Sequence, residues 1–73
     1  MQLITVKPVQ GGWAVNPFEG LPLMFLTGGR AEQKARELAQ RAARLGVPTE
    51  VRVHDGSGQL VGQIPYGDDR ELA

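Results

Sequence analysis

The chain has 73 residues, eight basic and eight acidic side chains that cancel to a formal net charge of zero, and no cysteine. That length holds one domain, which buries only about 60% of the surface its unfolded form exposes, so little stability is in reserve. Disulfide staples and thiolate zinc sites are excluded, and with His54 as the only imidazole neither a metal nor a cofactor is expected. Nucleic-acid binders usually carry a basic excess because neutralised phosphates supply much of the affinity, so a net charge of zero leaves room only for a local basic patch. No apolar run approaches the ~18 residues of a membrane span. The N-terminus reads as a strand and not as a signal peptide, and the lack of cysteine fits a reducing compartment; the expected setting is cytoplasmic, without a membrane.

In chain order, residues 2–7 alternate, with Ile4 and Val6 on one face and Leu3, Thr5 and Lys7 on the other, which predicts a strand ended by Pro8. Gln10-Gly11-Gly12 supplies a tight reversal, and Trp13 and Val15 then share one face of a second strand. Residues 17–22, with two prolines and a glycine, form a loop, and the short apolar run Leu23 to Leu26 is a candidate third strand.

A helix near residues 28–45 follows. At 100° per residue Ala31, Ala35, Leu38, Ala39, Ala42 and Leu45 fall on one side, with charged and amide side chains on the rest. Thr27 is the expected N-cap, Gly46 the left-handed residue that closes the helix, and Pro48 the stop. A stripe made mostly of alanine implies close approach of the helix to a sheet. Thr49 to His54 alternates again with Val51 and Val53 inward. Asp55-Gly56-Ser57-Gly58 signals a hairpin, and Gln59 to Ile64 returns, with Leu60 and Ile64 on one face and Val61 and Gln63 on the other. Pro65 is expected to end this strand. The fold class is α+β: an antiparallel sheet of four or five strands packed on one helix in the order ββ(β)αββ. Residues 1–66 form the domain and 67–73 an acidic tail.

Three stretches look like one family. They are the hairpin from Val6-x-Pro8 to Gly11-Gly12-Trp13-x-Val15, the helix Thr27…Ala31…Ala35-Arg36-x-Leu38-Ala39, and Val53-His54…Gly58-x-Leu60. Together they resemble the small bacterial domain-of-unknown-function family numbered 2188, over roughly residues 4–66. In that family the last turn more often reads Asp-Gly before the apolar residue, whereas Ser57-Gly58 holds that place here and Asp55-Gly56 lies earlier. The resemblance implies a bacterial source and a common fold, and it brings no activity.

The residues that could carry chemistry are few. His54-Asp55 is the only imidazole–carboxylate neighbour pair, but adjacent strand residues point to opposite faces, and Asp55 has a simpler task in opening the turn. Ser57, the only serine, lacks the strand–elbow–helix setting of a hydrolase nucleophile. Gly28-Gly29-Arg30 at a helix start could present amides to an anion, or could answer a need for space at the junction. No catalytic residue is expected, and the protein is read as not an enzyme. Arg30, Lys34, Arg41 and Arg44 lie along one side of the helix and could follow phosphates. Glu37 interrupts them, and Glu32–Arg36 and Glu37–Arg41 are spaced as ordinary i,i+4 ion pairs. On the far side of the sheet one helix cannot cover Leu3, Leu26 and Val61, which makes these three the candidate interaction residues. The leading expectation is a non-enzymatic protein acting through an unknown protein partner or through self-association, as a homodimer by its sheet. The alternative is nucleic-acid binding through Arg30, Lys34, Arg41 and Arg44.

Overall fold

The computed structural model describes residues 1–67, so of the tail expected at 67–73 all but Gly67 lies outside the described residues. Strands β1 (Gln2–Val9), β2 (Gly12–Asn16) and β3 (Leu23–Phe25) precede the helix α1 (Gly28–Arg44), and β4 (Thr49–His54) and β5 (Leu60–Tyr66) follow it. The five strands form one sheet in the order β3-β2-β1-β4-β5 with α1 packed on one face, an α+β fold. Three of its ladders are antiparallel, as alternation joined by tight turns implies. The central ladder is parallel, pairing Gln2–Val6 of β1 with Thr49–Val53 of β4. The chain reaches β4 through α1, and a helical return is the kind of connection a parallel neighbour requires.

Both ends of α1 are built as their residues dictate. The Thr27 hydroxyl accepts from the Arg30 amide at 3.2 Å, which satisfies one of the unpaired donors of the first turn. At the other end the Val47 amide donates to the Ala42 carbonyl and the Gly46 amide to that of Ala43, with Gly46 at φ +85°. This is a Schellman closure, in which a left-handed residue lets two orphan carbonyls be satisfied.

The core is thin. Ala31, Ala35 and Ala39 of α1 are fully buried against Ile4, Val6, Val15 and Val51, and the largest fully buried side chains are valines and Thr49. Trp13, Phe25, Leu38, Val53, Ile64 and Tyr66 form a half-buried ring around them. The low seat of the helix explains two glycines. A Cβ at Gly28 would sit 3.0 Å from the Trp13 ring, and one at Gly67 would sit 2.9 Å from the Ala43 Cβ. Gly67, expected as the start of the tail, therefore packs with the domain.

Several expectations are corrected. Pro8 does not end its strand, because it lies beyond the last β1–β4 pair and β1 there has a neighbour on one side only. Pro65 is likewise held within β5, opposite Glu50, since an edge strand tolerates a missing donor. Leu45 leaves the helix stripe: it is the C-cap and is 77% exposed. Leu60 does not share the face of Ile64. An irregularity beside Val53 and His54 puts Gly62 opposite Val53 but Leu60 opposite His54, so Val61 is the extra residue of a bulge and reverses the alternation.

No helix among the described residues is long and apolar enough to cross a membrane. The alanine seam leads to a test. Ala35→Leu forces an isobutyl group into a fully buried contact and lowers stability by about 1–3 kcal/mol in urea unfolding, whereas Leu45→Gln shifts it by no more than about 0.5 kcal/mol. An Ala35→Leu protein as stable as the wild type would contradict the close approach.

Candidate functional site

The sheet face away from α1 is more polar than its sequence suggests. Thr5 lies in register with Arg52 and with Asn16, and Arg52 with Gln63, so a polar row crosses the middle of that face. Leu3, only 37% exposed, sits opposite Glu50 near the start of β1. Val61 stands in the β5 bulge near the other end of the sheet, and Leu26 lies beyond β3 at the turn into α1. The structure does not bring these three together.

Exposed apolar groups gather instead at one edge. β3 pairs with β2 through Leu23–Val15, Met24–Ala14 and Phe25–Trp13, and among the described residues no strand pairs with its other side. Along it Leu21 is 85%, Met24 61% and Leu26 86% exposed, with Leu23 at 36%. No charged side chain occurs from Gly20 through Gly29. β2 holds this edge at close range: a Cβ on Gly12 would collide with the Phe25 carbonyl oxygen. Between β3 and α1 runs a shallow groove lined by Phe25, Arg30, Gln33, Lys34 and Glu37, and a second hollow at its end adds Met24, Leu26 and Thr27. The site thus joins an apolar strand with open backbone groups to a mixed-charge helical wall.

The other edge is built differently. β5 carries Pro65, which cannot donate a hydrogen bond, and the bulge at Val61, which interrupts regular pairing. Both devices discourage a further strand from adding there.

The basic side of α1 is partly neutralised. Arg36 bonds Glu32, as its spacing predicts, but Glu37 engages Lys34 at 3.7 Å and not Arg41. Arg30, Arg41 and Arg44 make no ion pair among the described residues.

The imidazole–carboxylate pair does not form. His54 Nδ1 lies 3.1 Å from the Val6 carbonyl oxygen, an acceptor only, so Nδ1 carries the proton and donates where β1 and β4 part. Asp55 is taken up by its own turn. Its Oδ1 accepts from the Ser57 amide at 2.9 Å, the Ser57 hydroxyl at 2.7 Å and the Gln59 amide at 3.0 Å. At Gly28-Gly29-Arg30 the Thr27 hydroxyl takes the Arg30 amide and Trp13 accounts for Gly28; nothing in the structure explains Gly29.

The Ser57 hydroxyl first, and then the Gln59 amide, hold the Asp55 carboxyl below its ordinary value of 3.8. A depressed folded-state value means that the carboxylate stabilises the hairpin above the unfolded value, and that this contribution is lost as pH falls through the folded one. Asp55→Ala therefore lowers Tm at neutral pH, and the gap from wild type closes in melts taken below about pH 4. A gap that stays constant into strong acid would remove the carboxylate from this role.

Comparison with family models, with curated protein sequences and with solved structures finds no match to this chain.

Proposed function

We propose that this protein is not an enzyme and acts by protein–protein contact, made at the β3 edge. The observation that carries this reading is the uncharged run from Gly20 to Gly29, which exposes Leu21, Met24 and Leu26 beside a strand that has no partner on one side among the described residues. Edge strands are usually blunted by charge, proline or a bulge, because open backbone groups template further pairing. β5 has two of these devices, whereas β3, although short and preceded by Pro22, has none within Leu23–Phe25. The commitment of His54 to Val6 and of Asp55 to its turn supports a non-catalytic reading. A cytoplasmic setting and kinship with the family numbered 2188 belong to the same proposal; Gly12 and Trp13, two of the residues that carry the resemblance, are the ones that seat β3 and α1.

A photo-crosslinking residue at position 24, in the cells that make the protein, traps a polypeptide, whereas the same residue at position 63 on β5 does not. Met24→Lys places a charge on the edge and abolishes that contact while circular dichroism is unchanged. Equal trapping at both positions, or none at either, would overturn the reading.

A second reading is nucleic-acid contact through Arg30, Lys34, Arg41 and Arg44, favoured by the absence of acidic partners for the three arginines among the described residues. Three phosphate contacts would weaken binding to short duplex DNA or RNA roughly 40-fold between about 50 and 200 mM salt. Arg41→Glu with Arg44→Glu would abolish it. Salt-independent or undetectable binding excludes this reading.

A further inference from the structure

We infer that the occupant of the β3 edge is a second copy of this chain. Two β3 strands pair antiparallel about a two-fold axis at Met24, joining the two sheets into one. The inference rests on the proposed function and names its partner.

Symmetry and charge favour it. An antiparallel pairing of identical strands is self-complementary only if no charged side chain meets its own copy near the axis, and the strand and its flanks carry none from Gly20 to Gly29. Side chains that pair across an antiparallel ladder lie on the same face. With Met24 at the axis, Leu23 of each copy therefore stands opposite Phe25 of the other on the helix side, and the two Met24 side chains meet on the other face. Pro22 and Leu26 flank the paired residues, so the strongly exposed Leu26 of each copy lies beside the end of the other's strand.

The difference between the edges decides how the assembly ends. A chain with two open edges joins head to tail and grows without closing, whereas one with a single open edge can form only a closed pair. Pro65 and the Val61 bulge block β5, so association through strands stops at two.

Area sets how tightly the pair holds. Specific interfaces cover on the order of 800 Å² per partner, about a sixth of the 4935 Å² surface of the chain. Leu21, Leu23, Met24 and Leu26 offer roughly 100 Å² each at most, about half of such an interface, and the outer backbone of β3 adds to it, so the pair is a weak one in equilibrium with the monomer.

The protein has no cysteine, so one introduced thiol reports the contact directly. In an antiparallel pair the Cα atoms of facing residues stand about 4.5–5.5 Å apart, within the span a disulfide bridges. Met24→Cys, mildly oxidised, is expected to become a disulfide-linked dimer, while Val61→Cys on the opposite edge stays monomeric. Wild-type sedimentation from about 10 μM to 1 mM should show a monomer–dimer equilibrium, with Tm rising with concentration. Met24→Lys should sediment as a folded monomer. If that variant fails to fold, the comparison of Met24→Cys with Val61→Cys still decides the matter.

A wild type that is monomeric throughout, a dimer that Met24→Lys leaves intact, or equal crosslinking of the two cysteine variants would overturn the inference. If the wild type is monomeric and a photo-crosslinker at position 24 traps a different polypeptide, the second copy is wrong and contact at the β3 edge stands. If position 24 traps nothing and the wild type is monomeric, both are wrong.

Discussion

The contact of the Ala31–Ala35–Ala39 stripe with Ile4, Val6, Val15 and Val51 is the constraint on which the rest of the structure depends. Alanine side chains keep a helix close to a sheet, and the space between them here is filled by nothing larger than valine and isoleucine. Three consequences follow from that distance. The aromatic side chains cannot enter the seam, so Trp13, Phe25 and Tyr66 pack around its rim, half-buried. The chain entering the helix must pass against the Trp13 ring, which leaves no room for a side chain at Gly28. The chain leaving β5 meets Ala43 and Pro48 at a spacing that leaves no room for one at Gly67, where φ is also positive. Two glycines far apart in sequence thus answer to one packing distance.

A single helix of this length also covers the sheet unevenly. It lies over the central strands, and the outermost strands on either side must meet solvent in their own way. β5 does so with a proline, a bulge and the phase reversal that turns Leu60 away from the row of Ile64. β3 keeps only three paired residues, fixed by the collision that Gly12 avoids with the Phe25 carbonyl. Its shortness limits the hazard of an open edge, since a short edge strand offers few backbone groups to an unwanted neighbour. What it does not limit is exposed apolar area, because Leu21 and Leu26 flank the strand at 85% and 86% exposure.

Local chemistry was legible in the sequence, and non-local pairing was not. Thr27, Gly46 and the alanine stripe located α1 to within a residue, because caps and periodicity act over a few positions. The alternation of β1 and β4 gave their inward faces correctly for the same reason. The parallel alignment of those two strands depends on partners far apart in the chain, and no period encodes it. The bulge was invisible because Leu60 and Val61 are both apolar, so a shift of one residue leaves the pattern unchanged. Pro8 and Pro65 read as terminators because whether a missing donor matters depends on which side has a neighbour. The candidate interaction residues suffered from the same blindness: Leu3 and Val61 point away from the helix, yet they sit toward opposite ends of different strands, with the polar row of Thr5, Arg52 and Gln63 between them. A signal for the β3 edge was present, in the ten residues from Gly20 to Gly29 without a charge. It was legible as an apolar strand and not as an edge, since edge position follows from strand order.

The distribution of charge bears on the same surface. Within α1 five basic and two acidic side chains leave an excess of three positive charges, which the rest of the chain, three basic and six acidic, cancels. A neutral molecule with a positive helix and an uncharged strand edge has its long-range field and its apolar contact in different places. The field orients approach over distances of about a Debye length, while burial at the edge determines whether an encounter persists. Arg30 and Lys34 stand where the two meet, at the groove beside Phe25, with Glu37 close enough to hold Lys34. A partner that buries only the strand leaves those charges hydrated and incurs no cost for desolvating them, which is the condition a two-fold pairing of β3 meets. A partner that must fill the groove as well has to answer two cations and an anion within one turn or two of helix, a more demanding match. The simplest occupant is therefore one that needs the edge alone, and a second β3 strand supplies the backbone groups, the apolar side chains and the absence of charge together.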